Sequence, residues 1–262
     1  MRIVRFKRND QIYYGKLKKK NIYYLEGNIY GDYKVTSKQV KKESVDILSP
    51  TEPPNIIGIG SNYKKHAMEI NKSYPEKPLI FLKATTSIIG HNSNIILPEV
   101  APNEVDYEGE LAVIIGKEAK NIKVEEVDDY IFGYTCANDV SARDCQMRLD
   151  DQWARAKSFD TFCPLGPWIE TRLSNPNRLN IKTTLNNNVM QNSNTNDLIF
   201  NTKKLISYCS KNMTLKPGTV ILTGTPGGVG FAKDPQIFLK PGDKISVEIE
   251  GIGKLVNIVK KY

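Results

Sequence analysis

Asp106-Tyr107-Glu108-Gly109-Glu110-Leu111-Ala112-Val113-Ile114-Ile115-Gly116 is the stretch on which the fold turns. Its tail is an unbroken apolar, β-branched run, which reads as a strand. Side chains two apart on a strand share a face, so Glu108 and Glu110 point the same way, onto a face continued by Ala112 and Ile114. Two carboxylates aimed into a partly buried site repel each other unless a positive charge sits between them, and a divalent cation is the natural one. A solvated strand end is the competing reading, and the pair alone does not exclude it.

Outward from this strand, β-like runs recur at Asn55–Ile59, Leu79–Leu82, Ile131–Ala137, Ile181–Leu185, Thr219–Leu222 and Lys244–Ile249. Helix-like segments are Ala142–Trp153, Asn201–Ser210 and a short stretch from Ser61 or Asn62, as cap, to about Ile70. Residues 1–50 read as short strands at Arg2–Lys7, Gln11–Leu17, Asn21–Glu26 and Val45–Leu48. That is too little chain for a robust core, so this part is expected to pack on the rest. The prolines of Ser49-Pro50-Thr51-Glu52-Pro53-Pro54 mark the boundary, giving a small N-terminal β domain at 1–50 and a larger domain at 54–262.

The net charge is +8, of which residues 1–50 carry +7, with Lys16-Leu17-Lys18-Lys19-Lys20 the densest cluster. A basic arm raises a polyanion-binding protein as the non-enzyme alternative. A lysine-rich hairpin tip is more simply a solvated edge that resists aggregation, and charge alone does not support a nucleic-acid partner. No apolar run is long enough to span a membrane, and no apolar h-region follows the charged start, so the expectation is a cytoplasmic protein. Cys136, Cys145, Cys163 and Cys209 form no C-x-x-C pair, and with only two histidines they suggest neither zinc nor disulfides.

Four further segments carry chemistry. Asp139, in Asn138-Asp139-Val140-Ser141, ends a strand, where it can either reach a metal or cap the next helix. His66 and Glu69 share a helix face, an arrangement suited to a general base but also common on surfaces. Lys157 precedes Ser158-Phe159-Asp160-Thr161-Phe162 and reads as an electrophilic catalyst or a solvated lysine. Thr223-Gly224-Thr225-Pro226-Gly227-Gly228-Val229-Gly230 could present backbone amides to an anion, but matches neither a nucleotide-binding fingerprint nor a P-loop.

Taken in order, these segments resemble the fumarylacetoacetate hydrolase family, in particular its short acylpyruvase, oxaloacetate decarboxylase and hydroxymuconate isomerase-like members. The resemblance runs from about Asn55 to Asn257. It implies an α+β fold, a mixed β-roll of stacked sheets with few helices, and a homodimer. It assigns Mg²⁺ or Mn²⁺ to Glu108, Glu110 and Asp139, a set of hard oxygen donors that also accommodates Ca²⁺. It gives water activation to His66 and Glu69, an active-site role to Lys157, and substrate contacts to Arg143, Gln146 and Thr225. The implied substrate is a small 2-oxo acid reacting through its enolate. Hydrolysis of a C–C bond in an acylpyruvate is slightly favoured over oxaloacetate decarboxylation or tautomerisation and over isomerisation of a hydroxymuconate-type dienoate. Two departures stand out: Ser61 where many members have Arg or Leu, and Asn186-Asn187-Asn188 where Asn-Gly-Glu is usual. Asn tolerates the left-handed conformation, so the hairpin turn is expected to survive.

Overall fold

The computed structural model describes residues 1–149 and 152–262. The chain opens with an antiparallel meander of β1 (Arg2–Arg8), β2 (Gln11–Lys18), β3 (Asn21–Gly27) and β4 (Tyr33–Lys41), and the short β5 (Asp46–Ile47) returns to pair with β1. Lys19, at φ 55°, sits in the β2–β3 turn, so the lysine cluster is a hairpin end. The sequence reading missed β4 because this edge strand is mostly exposed and shows no apolar alternation.

Next come β6 (Ile56–Gly60), helix α1 (Lys64–Glu69), β7 (Leu79–Lys83), β8 (Ile88–Ile89), β9 (Asn94–Leu97), β10 (Val105–Asp106) and β11 (Gly109–Ile115). They are followed by β12 (Ile131–Asn138), β13 (Ser141–Ala142), α2 (Trp153–Lys157), β14 (Cys163–Glu170), β15 (Asn180–Leu185) and β16 (Asn188–Asn194). The chain ends with α3 (Thr202–Asn212), β17 (Val220–Leu222), β18 (Lys244–Ile249) and β19 (Gly253–Lys261). One large mixed sheet has the order β4-β3-β2-β1-β14-β12-β11-β17-β6-β7, and a second has the order β16-β15-β18-β19-β9.

The two sheets stack through β11, which is buried along its whole length. Leu111, Val113 and Ile115 pack with Ile181, Val247, Ile249 and Leu255 of the second sheet. Ala112 and Ile114 face the other way, into a cluster with Ile56, Val220, Leu222, Ile169 and Ile3. Burial on both faces explains why this strand reads as a continuous apolar run. The architecture is the expected α+β arrangement of stacked sheets with few helices. Residues 1–50 join the large sheet through Arg2↔Glu170 and Ile3↔Ile169, and their own small cluster around Val4, Phe6, Ile22 and Tyr24 is covered by Trp168 of β14.

Three local expectations are corrected. The segment Ala142–Trp153 is not one helix: Ala142 lies in β13, Cys145–Leu149 form a π-helix, and Trp153 begins α2, while part of the expected span lies outside the described residues. Neither Ser61 nor Asn62 caps α1. Its N-cap is Tyr63, Lys65 N–H is satisfied by Asp197 Oδ2 at 3.1 Å, and the Asn62 amide instead clamps Phe200 and Thr223 backbone. Strand β14 went unread because Pro164, Gly166 and Pro167 look like a turn, yet the segment pairs with β1, β12 and β8.

The β15–β16 hairpin closes with Asn186 at φ 48° and Asn187 at φ 71°, a two-residue turn with both residues left-handed. Replacing Asn187 with Val puts a β-branched side chain in that conformation. The expected loss is about 1–2 kcal/mol in urea unfolding, with Asn187→Gly at or above wild-type stability.

Candidate functional site

The pairing of β11 with β12 matches Gly109 to Asn138 and Glu110 to Ala137, so the start of one strand lies beside the end of the other. That register brings Glu108, Glu110 and Asp139 together: one carboxylate oxygen from each lies within 4.8 Å of the others, and all three residues are buried. Asn138 Oδ1 accepts from Glu108 N–H at 2.9 Å, and Asp139 N–H donates to Glu108 O at 2.8 Å, fixing the backbone of both. Asp139 is therefore not a helix cap; β13 follows it.

Buried cations meet this cluster. Lys157 Nζ, at the end of α2, donates to Glu108 Oε2 at 2.8 Å, Asp139 Oδ2 at 2.7 Å and Ser141 Oγ at 2.8 Å. Lys83 Nζ, at the end of β7, holds the other Asp139 oxygen at 2.5 Å. Arg143 bridges Glu108 Oε1 at 2.7 Å and Asp106 Oδ2 at 2.8 Å, and its Nη1 donates to Gln146 Oε1 at 2.7 Å. Burial favours neutral Glu108, but Lys157 and Arg143 outweigh it and hold the carboxyl well below the usual range. Burial works against the Lys157 ammonium, and Asp139 and Glu108 overcome it, so this lysine stays charged.

Glu110 differs. Gly224 N–H donates to it at 2.6 Å, and among the described residues no ammonium or guanidinium bonds to it. Burial, reinforced by Asp139 and Glu108, pushes its carboxyl well above the usual range. Three cations, Lys83, Lys157 and Arg143, thus face four buried carboxylates, Asp106, Glu108, Glu110 and Asp139. A hard divalent cation fits this donor set: three carboxylate oxygens converge, and one carboxylate lacks a countercharge.

The residues around this cluster line a cavity of about 250 Å³, among them His66, Arg143, Gln146, Lys157 and Thr225. His66 Nδ1 pairs with Glu69 Oε2 at 3.3 Å, which leaves Nε2 as the ring atom able to take a proton. Gly228 N–H in turn anchors both Glu69 oxygens, at 2.8 and 3.0 Å.

Comparison with known proteins settles the ancestry. The family description "Fumarylacetoacetate (FAA) hydrolase C-terminal" matches residues 55–260, and "Rv2993c-like, N-terminal" matches residues 1–50. The chain belongs to the fumarylacetoacetate hydrolase family. It is 47% identical to the oxaloacetate tautomerase fahd2, mitochondrial, of Xenopus laevis, over 84% of this chain and 70% of the relative. The solved 5-carboxymethyl-2-hydroxymuconate delta-isomerase of Mycobacterium smegmatis superposes with a TM-score of 0.91 at 39% identity, covering 100% of both chains. The maleylpyruvate hydrolase of Sphingobium sp. SYK-6, solved with manganese(II) and pyruvate, gives a TM-score of 0.81 at 28% identity, covering 100% of this chain and 99% of that one.

Within this family frame, the structure adds protein partners to several of the assigned residues. The glycine-rich loop does present backbone amides to anions, but they are the protein's own: Gly224 serves Glu110, Gly228 serves Glu69, and Gly230 and Phe231 serve Asp106. Thr225 Oγ1 donates to Gly109 O at 3.1 Å and accepts from Gln191 at 2.7 Å, so its one hydroxyl proton is already committed. Arg143 likewise directs most of its N–H groups to Asp106, Glu108 and Gln146. Lys83 and Asp106 escaped the sequence reading. Asp106 had a signal, since it is a third acid in register with Glu108 and Glu110; Lys83 looked like the polar end of a strand.

The uncompensated Glu110 gives a test with a defined sign. Its raised folded-state pKa contributes stability that is present below the ordinary value of 4.5 and is lost as pH rises through the folded value. In chelated protein at neutral pH, Glu110→Gln should therefore melt several degrees higher than wild type, and this gain should vanish below pH 4.5. Excess Mn²⁺ should reverse the ranking by stabilising wild type more. Melting curves of both proteins, with and without Mn²⁺, check this.

Proposed function

We propose that this chain is a divalent-metal-dependent enzyme that moves a proton between C3 and the 2-oxygen of a 2-oxo acid by way of the enolate. The observation that carries this reading is one pocket lined both by Glu108 and Glu110 of the three-carboxylate cluster and by His66, whose ring is oriented by Glu69 from behind. Mg²⁺ or Mn²⁺ held by the three carboxylates would supply the charge that stabilises the enolate oxygen. His66 Nε2 takes the C3 proton, and Glu69 fixes the ring and stabilises the imidazolium. Lys157, with its ammonium at the cluster, supplies positive charge at the developing oxyanion. Gln146 accepts from Arg143 through Oε1, which leaves its amide N–H groups for a substrate oxygen. Arg143 and Thr225 act in this reading mainly by holding Glu108 and the glycine-rich loop. The tautomerase and isomerase names of the similar proteins, both proton-shift activities, support this choice.

Hydrolysis of an acylpyruvate C–C bond is the second reading. It is favoured by the same dyad, which can deprotonate water, and by the likeness to a maleylpyruvate hydrolase. Oxaloacetate decarboxylation needs only the cation and an electron sink. The proposal includes a homodimer, for which β7, at the edge of the large sheet with Leu79 and Leu82 exposed on its two faces, offers an unpaired strand. Among the described residues no helix is long and apolar enough to cross a membrane.

Three rates measured at saturating Mg²⁺ separate these readings: oxaloacetate tautomerisation, oxaloacetate decarboxylation and acetylpyruvate hydrolysis. His66→Ala should lower the proton-transfer reaction by roughly 10²- to 10⁴-fold, the usual worth of a general base, with decarboxylation falling much less. Glu69→Gln should show the same selectivity at smaller size, and Lys157→Met should impair every enolate route. Full tautomerase activity in His66→Ala would remove His66 as the base, and hydrolysis as the dominant wild-type rate would promote the second reading.

A further inference from the structure

Strand β16 is exposed or half-buried at every position but one, and the exception is polar: Gln191 is 1% exposed. A β-bulge turns it inward. Thr183 of β15 pairs with Gln191 and the next residue, Thr184, with Val189, so Met190 is the extra residue and the side chain that follows it is re-aimed. Gln191 then lies against Gly109, where a Cβ would sit 3.2 Å from its Oε1 and 2.1 Å from Thr183 Oγ1. This approach requires glycine at the position between Glu108 and Glu110.

Gln191 uses both ends of its amide. Oε1 accepts from Gly109 N–H at 2.9 Å, and Nε2 donates to Thr225 Oγ1 at 2.7 Å and to Pro226 O at 2.8 Å. Thr225 Oγ1 donates to Gly109 O at 3.1 Å, which closes a ring of hydrogen bonds between the Glu108–Glu110 segment and the glycine-rich loop. Upstream, Thr223 N–H and Oγ1 both reach Leu111 O. Downstream, Tyr107 donates to Gly228 O at 3.2 Å, and Gly228 N–H anchors Glu69. The ring thus stands between the segment that carries two of the clustered acids and the turn that orients His66.

We infer that Gln191 is a positioning residue that sets the His66–Glu69 pair against the carboxylate cluster. The inference rests on the reading of His66 as the base. Gln191 acts through backbone: Glu108 and Glu110 flank Gly109, and Glu69 is held by the loop. The acids have a second brace in the pairing of Gly109 with Asn138 and of Glu110 with Ala137, so opening the ring falls mainly on Glu69 and His66.

Gln191→Met keeps the length of the side chain and removes its hydrogen bonds. At saturating Mg²⁺ it should lower kcat for oxaloacetate tautomerisation by roughly 10²-fold, the scale of a misplaced catalytic group, with KM little changed and decarboxylation falling much less. In a His66→Ala background it should cost nothing further, since the two act as one unit. Mn²⁺ affinity, measured by calorimetry, should stay well short of the ~10- to 100-fold loss that follows removal of a ligand's own support. Ring nitrogens give a readout free of turnover, because the chain has two histidines. In metal-free protein with neutral rings, Gln191→Met should lower the share of His66 in its Nδ1–H form, while His91, whose Nδ1 accepts from Val256 N–H, stays unchanged. Thr225→Val opens the same ring from its other side and should reproduce that shift, so the test survives a Gln191→Met chain that does not fold. Equal losses in both reactions with weakened Mn²⁺ binding would make Gln191 a brace for the cluster alone and overturn the inference. Wild-type rates and an unshifted His66 in Gln191→Met would overturn it too. Full tautomerisation in His66→Ala would instead remove the base, and with it the reading on which the inference stands.

Discussion

Everything at this site depends on one segment, Thr223–Phe231, whose backbone N–H groups are shared among carboxylates from three parts of the chain. Glu110 comes from β11, Glu69 from α1, and Asp106 from β10. A buried carboxylate without donors is costly, so each of these acids has its position dictated by a loop that cannot move without exposing all three. Side chains could not supply the donors at such close range. Gly228, at φ 105°, would drive a Cβ to within 2.2 Å of Met190 O, and a Cβ on Gly230 would meet Ile237 O at 1.8 Å. The glycines of this loop are therefore a packing requirement as much as a conformational one.

Legibility in the sequence followed burial. The strand holding Glu108 and Glu110 could be read because β11 is buried on both faces and shows an unbroken apolar run. The Asn186–Asn187 turn could be read because left-handed backbone restricts residue choice. The N-terminal strands were found apart from β4, whose side chains face water and carry no pattern. The nine residues assigned by family likeness fall in or directly behind one cavity, but motif matching carried that, since no single motif excluded its plainer alternative.

What escaped the sequence was pairing across distance. Lys83 and Asp139 are separated by 56 positions, and Arg143 and Asp106 by 37. No local pattern marks a lysine that will be buried against a carboxylate from another strand. The same limit applies to Arg143 and Thr225, which family likeness gives as substrate contacts and which both line the cavity. What the motif does not carry, and the coordinates add, is that their donors also have protein partners. The π-helix at Cys145–Leu149 was likewise hidden, because Gln146, Met147, Arg148 and Leu149 are ordinary helix formers whose sequence does not distinguish a π turn from an α turn.

Lys83, Lys157 and Arg143 together offset three of the four buried carboxylates and leave Glu110 without a cation of its own. Sites built only of acids tend to be frayed until loaded, and their proteins fold in step with the metal. Here internal ammonium and guanidinium groups already bridge acids of this cluster in the folded chain. An ion held by the three carboxylates would therefore compete with Lys157 for Glu108 and Asp139. Loading of this site would then be an exchange of partners more than a capture of bare acids, and its rate would follow how readily that lysine gives way.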